Sequence, residues 1–566
     1  TPFPPPPTSP DPSPRDNPSI PPPRHATPSP SFARPSVPRR PTRPHPLLPA
    51  PATMKAPRSQ AAAAAAAARG ATPSVTEPSR PRNAIVIGAG IAGVCTAHQL
   101  ARKGVNVTIL DASSGFGAEC SRAAAGGMQR VNGTVDANQW RATMRAFAKL
   151  AVPSFLRPES FFPWFSLGSE AVTDMHFWRW MKDFSAASLF ADAKAQEYKA
   201  KHMLRFTCWA ISAMEETMSA AQYGSKNLGA VSDKRIGALK LICSHGELER
   251  LKATPQNRRW GFGAETSQFL SKEEVEKMEP WLRNSKKFGN GSLCGALYQP
   301  NALQANCEWY TQALGKVCTD TLGVQTQFRT KITGFSVENA PDQRRISQIF
   351  TEDGNAIGVN KDTAVVFACG SWTPKLLRSL QLYCPIYPLK GYNILVDLTE
   401  NDVKESDVPS RIVSDSIFYV TRYHDQVRLT SMGEFSGWGT TPTPVVEGRM
   451  RSEAKKWFPE LGNVLDKSEI ICGLRPLTAD GMLLLGELPG FSNAFINAGP
   501  GSNGWKVGIG AAEVLARIIY PPKNLTATTN SALDTIGPSS EAFTYEQEEI
   551  PFDQNIFSLF GRVQDL

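Results

Sequence analysis

The sequence contains no apolar run of the roughly 18 residues that a membrane-spanning helix requires. Its ten cysteines are scattered and never form C-x-x-C, which argues against a disulfide framework or a zinc site and favours a reducing compartment. The seven histidines form no evident triad or metal cluster, so no metal is predicted. We expect structural or exposed roles for His176, His202, His245 and His424.

Acidic residues are nearly absent from positions 1–82, which hold three acids against 11 Lys and Arg and carry 25 of the 46 prolines. Such a segment cannot bury a core, so residues 1–82 are predicted to form a disordered extension. Its Arg-, Ser- and Ala-rich composition is typical of a transit peptide, which predicts a mitochondrial or chloroplast location. The alternative is a plain low-complexity extension, or translated sequence upstream of a start at Met54, in a cytoplasmic protein.

The rest of the chain is almost neutral, because nearly all of the net charge of +9 belongs to the extension. The basic pI is therefore poor evidence for nucleic-acid binding, and no nucleic-acid partner is predicted. The lack of a spanning segment still allows peripheral contact with a membrane.

A dinucleotide-binding unit begins where the extension ends. Residues 84–87 are an apolar run typical of a buried parallel strand, and Gly88, Gly90 and Gly93 follow as G-x-G-x-x-G. Gly88 makes the tight turn, Gly90 lets a pyrophosphate approach the backbone, and Gly93 lets the helix pack closely on the strand. The free N–H groups at the start of the helix, around Ile91 and Ala92, would face the phosphates.

A second strand follows this helix and ends at Asp111. In such units a carboxylate about 20 residues beyond the glycine motif accepts hydrogen bonds from ribose hydroxyls. Asp111 stands at that place, with Ala112 beside it. FAD and NAD both bind to such a unit, so this motif leaves the choice between them open.

A second glycine-rich helix start, "GPGSNGW", lies near the other end of the chain, at 499–505. A reduced flavin is an anion over its N1–C2 carbonyl edge, and a helix N-terminus at that edge would stabilise the charge. NAD has no such need, so the two motifs together favour flavin. The residues predicted to lie near the isoalloxazine ring are Gly499, Gly501, Ser502, Asn503 and Gly504.

The order of the patterned segments predicts an α/β fold, in which an α+β substrate domain with a mostly antiparallel sheet interrupts a Rossmann-like FAD-binding domain with a parallel sheet. Residues 385–475 look mostly strand-like, "KITGFSVE" and "RRISQIFTEDG" look like a hairpin, and Ser271 and Glu274 form a capping box. The predicted segments are FAD-binding at 83–150, 305–380 and 480–520, substrate domain at 151–304 and 381–479, and a C-terminal tail at 521–566 that looks loop-like apart from a short apolar patch near "NIFSLF".

From about residue 83 to 519 the chain resembles the FAD-dependent amino-acid oxidoreductases of the D-amino-acid oxidase superfamily, most closely the D-amino-acid dehydrogenase branch. "IVIGAGIAG…ILD" matches the FAD fingerprint, "CSRAAAGGMQ" a Ser- and Ala/Gly-rich loop near the flavin, and "VVFACGSWTPKLL" a second flavin-contacting strand and turn. "YPLKGYNILV", "YVTRYHDQVRLTSMGEFSGW", "GLRPLTADGMLLLGE" and "NAGPGSNGWKVGIG" follow in the order of the family. The resemblance adds Ser121, Gly370 and Trp372 to the cofactor-binding residues.

One departure concerns Pro500, since the family commonly has Gly-His-Gly where this chain has Gly-Pro-Gly. The change removes a hydrogen-bond donor near the flavin and bears on redox tuning and substrate. No Cys, His or Tyr in this motif could carry a covalent link, so FAD is predicted to be non-covalent, with Cys120 in the nearby loop as the one candidate for attachment.

The resemblance implies an enzyme that oxidises a C–N bond beside a carboxylate. Hydride passes from the substrate Cα to flavin N5, the imino acid hydrolyses to a keto acid and ammonia, and the electrons go to a quinone, a carrier or oxygen. Positioning dominates such chemistry. The Arg of the Gly-x-Arg-Pro motif, Arg475, would hold the carboxylate. Further candidates for the same pocket are Tyr392, Tyr419 and Arg422.

Several alternatives stay open. Arg475 could instead form a structural salt bridge with Asp480 or Glu487. The enzyme could be a glycine- or sarcosine-type oxidase, although "VTRYHDQVRLTSMGEF" favours the dehydrogenase branch. The fold could also serve an organellar assembly factor that keeps flavin without turnover. The side chain and handedness of the substrate depend on pocket shape.

Overall fold

The computed structural model describes residues 81–128, 165–219, 237–253, 267–289, 291–300, 302–339, 343–401, 403–521, 552–559 and 561–566. All of them belong to the unit Glu77–Leu566, and the unit Thr1–Thr76 lies outside the described residues. The predicted extension is therefore outside them, apart from its last two residues. Within these ranges, no helix combines the length and the apolar character needed to cross a bilayer.

Most strands belong to two sheets. In chain order the strands are β1 (Asn83–Ile87), β2 (Asn106–Leu110), β3 (Gly127–Met128), β4 (Phe165–Leu167), β5 (Ala238–Ile242), β6 (Gln268–Leu270), β7 (Gly295–Gln299), β8 (Leu303–Gln304), β9 (Gln325–Gln327), β10 (Ile332–Asn339), β11 (Arg344–Thr351), β12 (Ala356–Gly358), β13 (Thr363–Phe367), β14 (Leu382–Tyr383), β15 (Ile386–Asp397), β16 (Ile412–Ser414), β17 (Tyr419–Tyr423), β18 (Gln426–Phe435), β19 (Glu469–Thr478), β20 (Leu484–Glu487), β21 (Ala494–Ala498) and β22 (Gln564–Asp565).

Helices precede, connect and cover these strands. They are α1 (Ile91–Arg102), α2 (Ser169–Thr173), α3 (Met175–Leu189), α4 (Ala193–Ser219), α5 (His245–Ala253), α6 (Lys272–Met278), α7 (Cys307–Asp320), α8 (Thr373–Ser379), α9 (Pro444–Trp457), α10 (Gly462–Lys467) and α11 (Gly504–Ile519).

The first sheet has the strand order β20-β21-β13-β1-β2-β9, and its neighbours are parallel except for β20 and β21. All five residues of β13 are buried, as expected for an uninterrupted apolar run covered on both faces. Val86 in β1 faces a core that includes α1 and α11, whereas Ile85 faces a core formed with β11. This sheet brings the first and last glycine-rich motifs, β1 to α1 and β21 to α11, into one layer.

The second sheet has the order β19-β15-β18-β17-β16-β5-β7-β6 and is mainly antiparallel, with β4 paired to β18 in parallel. β15 is its longest strand and pairs with both β19 and β18. One face packs on α9 through Trp457 and Met450, which are fully buried. The other face turns towards the nucleotide-binding layer.

The predicted fold class, a parallel nucleotide-binding sheet combined with a largely antiparallel second sheet, is confirmed. The predicted hairpin is β10–β11. The capping box is also present, because Glu274 N–H donates to Ser271 Oγ over 3.3 Å and Ser271 N–H donates to Glu274 Oε2 over 2.7 Å.

The description of residues 385–475 as mostly strand-like was wrong for 444–467, which form α9, a short 3₁₀ turn and α10. Pro444 starts α9, where its missing N–H has no helical partner to lose. Val446, Met450, Ala454 and Trp457 are buried and repeat at helical spacing.

The apolar patch near "NIFSLF" in the C-terminal tail packs on the fold. Phe552 and Phe557 are buried, with ring centroids 5.0 and 4.8 Å from that of Phe206 in α4. β22 pairs with β14. The described residues at 552–559 and 561–566 therefore contribute to the core and to a strand pair.

Candidate active site

The first glycine turn has the geometry of a close backbone approach. Gly88 has φ of +115°, and a Cβ there would lie 2.5 Å from the carbonyl oxygen of Ala368 in the turn after β13. A Cβ at Gly93 would overlap the carbonyl group of Gly88. Gly90 is the N-cap residue of α1. Because glycine has no side chain, the N-cap residue itself does not cover the N–H groups at the start of this helix.

Asp111 and Ser121 both lie against this turn. Asp111 Oδ2 accepts from Ala89 N–H over 2.5 Å, and its Oδ1 accepts from Ser113 N–H over 2.7 Å. Ser121 Oγ accepts from Ile91 N–H, the first residue of α1, over 3.0 Å. Two carboxylate oxygens offer about four acceptor positions, so Asp111 retains capacity for a ribose hydroxyl.

The remaining predicted positions in this region, Ala92 and Ala112, are half-buried and exposed respectively. Ala92 lies in the first turn of α1, and Ala112 directly follows Asp111 at the end of β2. Both therefore border the same carboxyl edge of the parallel sheet.

The turn after β13 forms the second predicted contact region. Gly370 has φ of +53° and begins a 3₁₀ turn that ends at Trp372. Ser371 Oγ donates to the carbonyl oxygen of Leu474 in β19 over 2.9 Å. Trp372 keeps 38% of its surface exposed, and Lys375 Nζ lies 4.9 Å from its ring centroid. The indole is thus presented at the surface next to β19.

The last glycine turn, Gly499 to Gly504, also meets β19. Gly499 and Gly501 have φ of +76° and +58°. A Cβ at Gly499 would overlap Thr478, and Pro500 forms an isolated bridge with Leu477. The turn leads into α11, and Asn503 at its N-cap makes no side-chain capping bond. Ser502 is exposed, and Gly504 packs beside the ring of Pro500.

Lys506 brings a cation to this turn, which the sequence reasoning missed. Its Nζ donates to Asn503 Oδ1 over 3.4 Å. No carboxylate within the described ranges lies at ion-pair distance from it. Burial lowers the pKa of Lys506 from 10.5 to about 8. Its charge would add to the positive potential of the α11 N-terminus.

The third region is the 120–127 loop, which side chains of the second sheet hold in place. Its carbonyl oxygens accept hydrogen bonds from four of them. These are Asn393 to Ala123 at 3.0 Å, Thr421 and Tyr423 to Ala125 at 2.9 Å each, and Arg428 to Arg122 at 2.9 Å. Arg428 is 1% exposed. Four side chains of the second sheet therefore hold the loop against the sheet face.

Arg475 lies in β19 on the face that carries this loop. Its guanidinium lies over Gly391 of the neighbouring strand β15, and Gly473, two positions earlier, meets Ala123 of the loop. Ser371 bonds the Leu474 carbonyl of β19, and Pro500 bridges to Leu477 of the same strand. The three predicted flavin-contacting regions and the predicted carboxylate ligand thus converge on one strand.

Residues 83–518 match the FAD dependent oxidoreductase family. The chain belongs to this family. Over 452 residues it is 28% identical to the D-amino acid dehydrogenase of Azorhizobium caulinodans, and the aligned region covers 78% of this chain and 96% of that relative. The D-amino acid dehydrogenase of Neisseria meningitidis is 28% identical over 451 residues, covering 77% and 95%.

Solved structures show the same fold at lower identity. An L-proline dehydrogenase from P. horikoshii has a TM-score of 0.54 at 19% identity, covering 78% of this chain and 94% of that one. A glycine oxidase from Bacillus cereus has a TM-score of 0.52 at 18% identity, covering 77% and 94%. The superfamily and branch predicted from the sequence are confirmed by the family match and the two relatives, and FAD is confirmed as the cofactor.

The geometry of this FAD-dependent oxidoreductase fits its cofactor. The N-cap residues of α1 and α11, Gly90 and Asn503, make no side-chain capping bond, and at α1 Ser121 Oγ takes only the N–H group of Ile91. The N–H groups that remain at such helix N-termini can bind a phosphate or an anionic ring edge. Gly88, Gly90, Gly93 and Asp111 would hold the ADP half of FAD, and the Gly499 to Gly504 turn would lie against the flavin.

The structure separates the candidate tyrosines. Tyr419 shares the face of Arg475, since a Cβ at Gly127 of the loop would overlap its hydroxyl. Tyr392 lies on the opposite face, where its hydroxyl donates to Glu434 Oε2 over 2.5 Å. Successive side chains of a strand point to opposite faces. Tyr392, next to Gly391, is therefore turned away from Arg475, and its proposed place in the same pocket needs correction.

Glu434 forms a buried network around Tyr392. Lys390 Nζ lies 2.8 Å from Glu434 Oε2, with both side chains at most 5% exposed, and Thr443 Oγ1 also donates to it. Burial acts to raise the pKa of Glu434, but bonds from Lys390 and Tyr392 lower it overall. This network is satisfied internally and supports the second sheet.

The other polar candidates also lie away from the face of Arg475. Arg422 pairs with Glu405 over 3.0 Å. Asp480, a candidate partner of Arg475, pairs with Arg562 over 2.8 Å. The four histidines lie elsewhere: His176 bonds the Ile386 carbonyl, His202 accepts from Asp553 N–H, and His245 and His424 are exposed.

The sequence reasoning missed the residues that support the site, namely Gly391, Asn393, Thr421, Arg428 and Lys506. A glycine inside "YPLKGYNILV" was a usable signal, because glycine in a strand interior often marks a close approach. Asn393, Thr421 and Arg428 gave no such signal. Their role depends on a loop that belongs to a distant part of the chain.

Proposed function

We propose that this oxidoreductase oxidises an amino acid at its C–N bond. The observation that carries the proposal is the position of Arg475 on a strand bordered by Ser371, Pro500 and the 120–127 loop. FAD, when bound, supplies the two-electron acceptor for the hydride that leaves the substrate Cα. The site therefore pairs a cation for a carboxylate with a cofactor that takes hydride.

Arg475 binds the substrate carboxylate in this proposal. An unpaired carboxylate cannot be transferred into a largely apolar site without a large penalty. The planar guanidinium meets a carboxylate through two parallel hydrogen bonds and keeps its charge at working pH. The carboxylate is thereby fixed beside β19, and with it the Cα.

Positioning is the main contribution of the chain to the reaction. Hydride transfer requires the Cα to be aligned with the acceptor atom, and correct orientation supplies much of the rate. His176 bonds the Ile386 carbonyl oxygen and His202 accepts from Asp553 N–H. No imidazole base is proposed. The imino acid product hydrolyses in water to a keto acid and ammonia.

We propose a D-amino acid as the substrate and a quinone or carrier as the electron acceptor. The support is that the two curated relatives, each covered over 95% or more of its length, are named D-amino acid dehydrogenases. We also propose an organellar location, on the composition of residues 1–82.

The test is a substrate panel under anaerobic conditions. Purified protein is mixed with D-amino acids, their L-enantiomers, glycine and sarcosine, and loss of the oxidised flavin absorbance is followed. Bleaching by D-amino acids, with turnover that requires an artificial acceptor, supports the proposal. Bleaching by glycine or sarcosine with rapid oxygen consumption indicates the oxidase alternative. A flavin that no amino acid bleaches indicates a non-catalytic role.

We propose that FAD is held without a covalent bond. Burial raises the pKa of the Cys120 thiol to about 11, so this thiol is a poor nucleophile for attachment. Acid precipitation should release the yellow colour into the supernatant. Colour retained in the pellet would show a covalent link and would redirect attention to Cys120.

A further inference from the structure

Two glycines face each other in the middle of the strand pair that carries Arg475. Gly391 in the 12-residue β15 is directly opposite Gly473 in the 10-residue β19. Glycine weakens a strand interior because it has no side chain to pack, and it is used where something must approach the backbone closely. A cross-strand glycine pair therefore marks a place where two groups press on the sheet.

The group above Gly391 is the guanidinium of Arg475. The position that a Cβ would take at residue 391 lies 2.3 Å from Cζ, 2.3 Å from Nη2 and 2.6 Å from Nη1. If this Cβ position lay in the plane of the guanidinium, beyond its two terminal nitrogens, it would be nearer to both nitrogens than to Cζ. Because its distances to Cζ and Nη2 are equal, the Cβ position lies over the flat face of the guanidinium. The guanidinium thus lies face-down on Gly391.

The group above Gly473 is the 120–127 loop. A Cβ at residue 473 would lie 2.5 Å from the Cβ of Ala123 and 3.5 Å from the Cα of Cys120. The lack of a side chain at the two glycines therefore makes room for different groups. Gly473 lets the 120–127 loop pack on the strand, and Gly391 lets the guanidinium of Arg475 pack beside the loop.

We propose that Gly391 is a positioning residue that sets the plane of the Arg475 guanidinium, and through it the plane of the substrate carboxylate. A bidentate carboxylate lies in the plane of the guanidinium. Because the flat face of the guanidinium rests on Gly391, the plane of the carboxylate is held parallel to the sheet surface. This inference rests on the proposed function, in which Arg475 binds the carboxylate.

The test begins with Gly391→Ala in the FAD-loaded full chain. Its added methyl tilts the guanidinium, so the Kd of benzoate, an unreactive carboxylate followed by its effect on the flavin spectrum, should rise about 10- to 100-fold. KM for the substrate should rise with it, and flavin content should stay normal. The matched control is Gly358→Ala in β12, where a Cβ meets nothing within 4 Å, and its benzoate Kd should not change.

A double-variant cycle separates positioning from a general loss of structure. In Arg475→Ala the guanidinium is gone, so adding Gly391→Ala should change neither the benzoate Kd nor the Tm further. The Tm of Gly391→Ala alone should be lower than that of the wild type, and Arg475→Ala should restore it. If Gly391→Ala fails to fold while the double variant folds, the steric relation is supported directly.

Other results overturn the inference in distinguishable ways. If Arg475→Ala weakens benzoate binding but Gly391→Ala does not, Gly391 has no positioning role and the proposed function stands. If the two effects add, or the double variant does not recover stability, Gly391 acts only on the sheet. If Arg475→Ala binds benzoate and turns over like the wild type, the proposed role of Arg475 and this inference fail together.

Discussion

The Gly-x-Arg-Pro motif pointed to Arg475, and the neighbours of this residue in the fold support its proposed role. Its side chain is half-buried above Gly391, and the thiols of Cys120 and Cys472 act electrostatically on its charge. Burial lowers the pKa of Arg475 from 12.5, with a partial offset from the two thiols. An arginine remains a cation in such a setting, so it presents a fixed positive charge on the sheet face.

Replacing Arg475 tests this assignment at the scale of one residue. Removing one member of a buried charged pair costs about 3–5 kcal/mol. Arg475→Ala should therefore lower kcat/KM by on the order of 100- to 1,000-fold. Arg475→Lys should recover part of the loss, since a lysine supplies the charge but not the planar pair of donors. Steady-state kinetics with the best substrate of the panel measures both.

Arg422→Ala is the matched control. Arg422 lies in the same sheet but pairs with Glu405, away from the face of Arg475, and its loss should leave kcat/KM within about twofold, the effect of a surface pair. Flavin content should be normal in all three variants. Wild-type efficiency in Arg475→Ala would exclude the carboxylate-binding role, and loss of flavin together with activity would favour a structural one.

Helix α1 shows how a single element serves both the core and the site. Its N-terminus faces the cofactor turn, while its body is so deeply buried that three polar side chains, Thr96, His98 and Gln99, are at most 2% exposed. Thr96 Oγ1 accepts from Asn497 Nδ2 of β21 over 3.0 Å. The element that presents phosphate-binding N–H groups is therefore anchored through buried polar contacts.

The burial of His98 predicts an acid sensitivity of this element. Desolvation first, and Arg102 second, lower the pKa of His98 from 6.5 to about 3 in the folded protein. The unfolded chain then binds more protons than the folded one between these values, so stability falls as the pH drops below about 6.5. The loss from this one group approaches about 1.4 kcal/mol per pH unit. Urea unfolding at a series of pH values on both sides of the unfolded-state pKa measures it.

His98→Gln should flatten this dependence, because glutamine does not titrate. The control is His245→Gln at the exposed start of α5, which should keep the wild-type slope. Equal slopes in the wild type and His98→Gln would show that other groups cause the acid sensitivity.

At the scale of the whole molecule, the charge asymmetry of the sequence predicts that residues 1–80 are dispensable for catalysis. They carry nearly all of the net positive charge and none of the motifs that the site uses. A protein that starts near Arg80 should bind FAD and turn over with the kcat/KM of the full chain. Flavin content and kinetics of the two proteins, side by side, measure this. Loss of flavin from the shorter protein would mean that the extension supports the fold.

The glycine turns proposed to bind the cofactor could be predicted from the sequence because each is encoded by neighbouring residues. Gly88 is needed for its positive φ and Gly93 for close packing within one turn, and the spacing of the motif indicates that need directly. The same holds for the Gly499 to Gly504 turn. α9 was missed because its helical spacing lies within a long strand-rich stretch, where the surrounding pattern dominated the interpretation.

The residues of the proposed substrate pocket could be predicted only in part, because their geometry is set by pairing between strands that are distant in the sequence. The sequence pointed to both Tyr392 and Tyr419 as candidates for one pocket. The alternation of side chains along β15 turns Tyr392 into the opposite core, whereas Tyr419 reaches the 120–127 loop. A shift of one residue in a strand exchanges its two faces, and no local pattern in a strand buried on both sides records which face is which.

By itself, the sequence determined the nucleotide-binding turns and the order of strands and helices that builds the parallel sheet, because each is encoded over a few neighbouring residues. Its two glycine-rich motifs together indicated the kind of cofactor. The tertiary structure decided what lies beside Arg475. It brought Gly391, the 120–127 loop and the turns at Ser371 and Pro500 to one strand through pairings between distant parts of the chain. Such contacts depend on the register of strands that meet only after folding, so their energies cannot be read from the residues that flank them in the sequence.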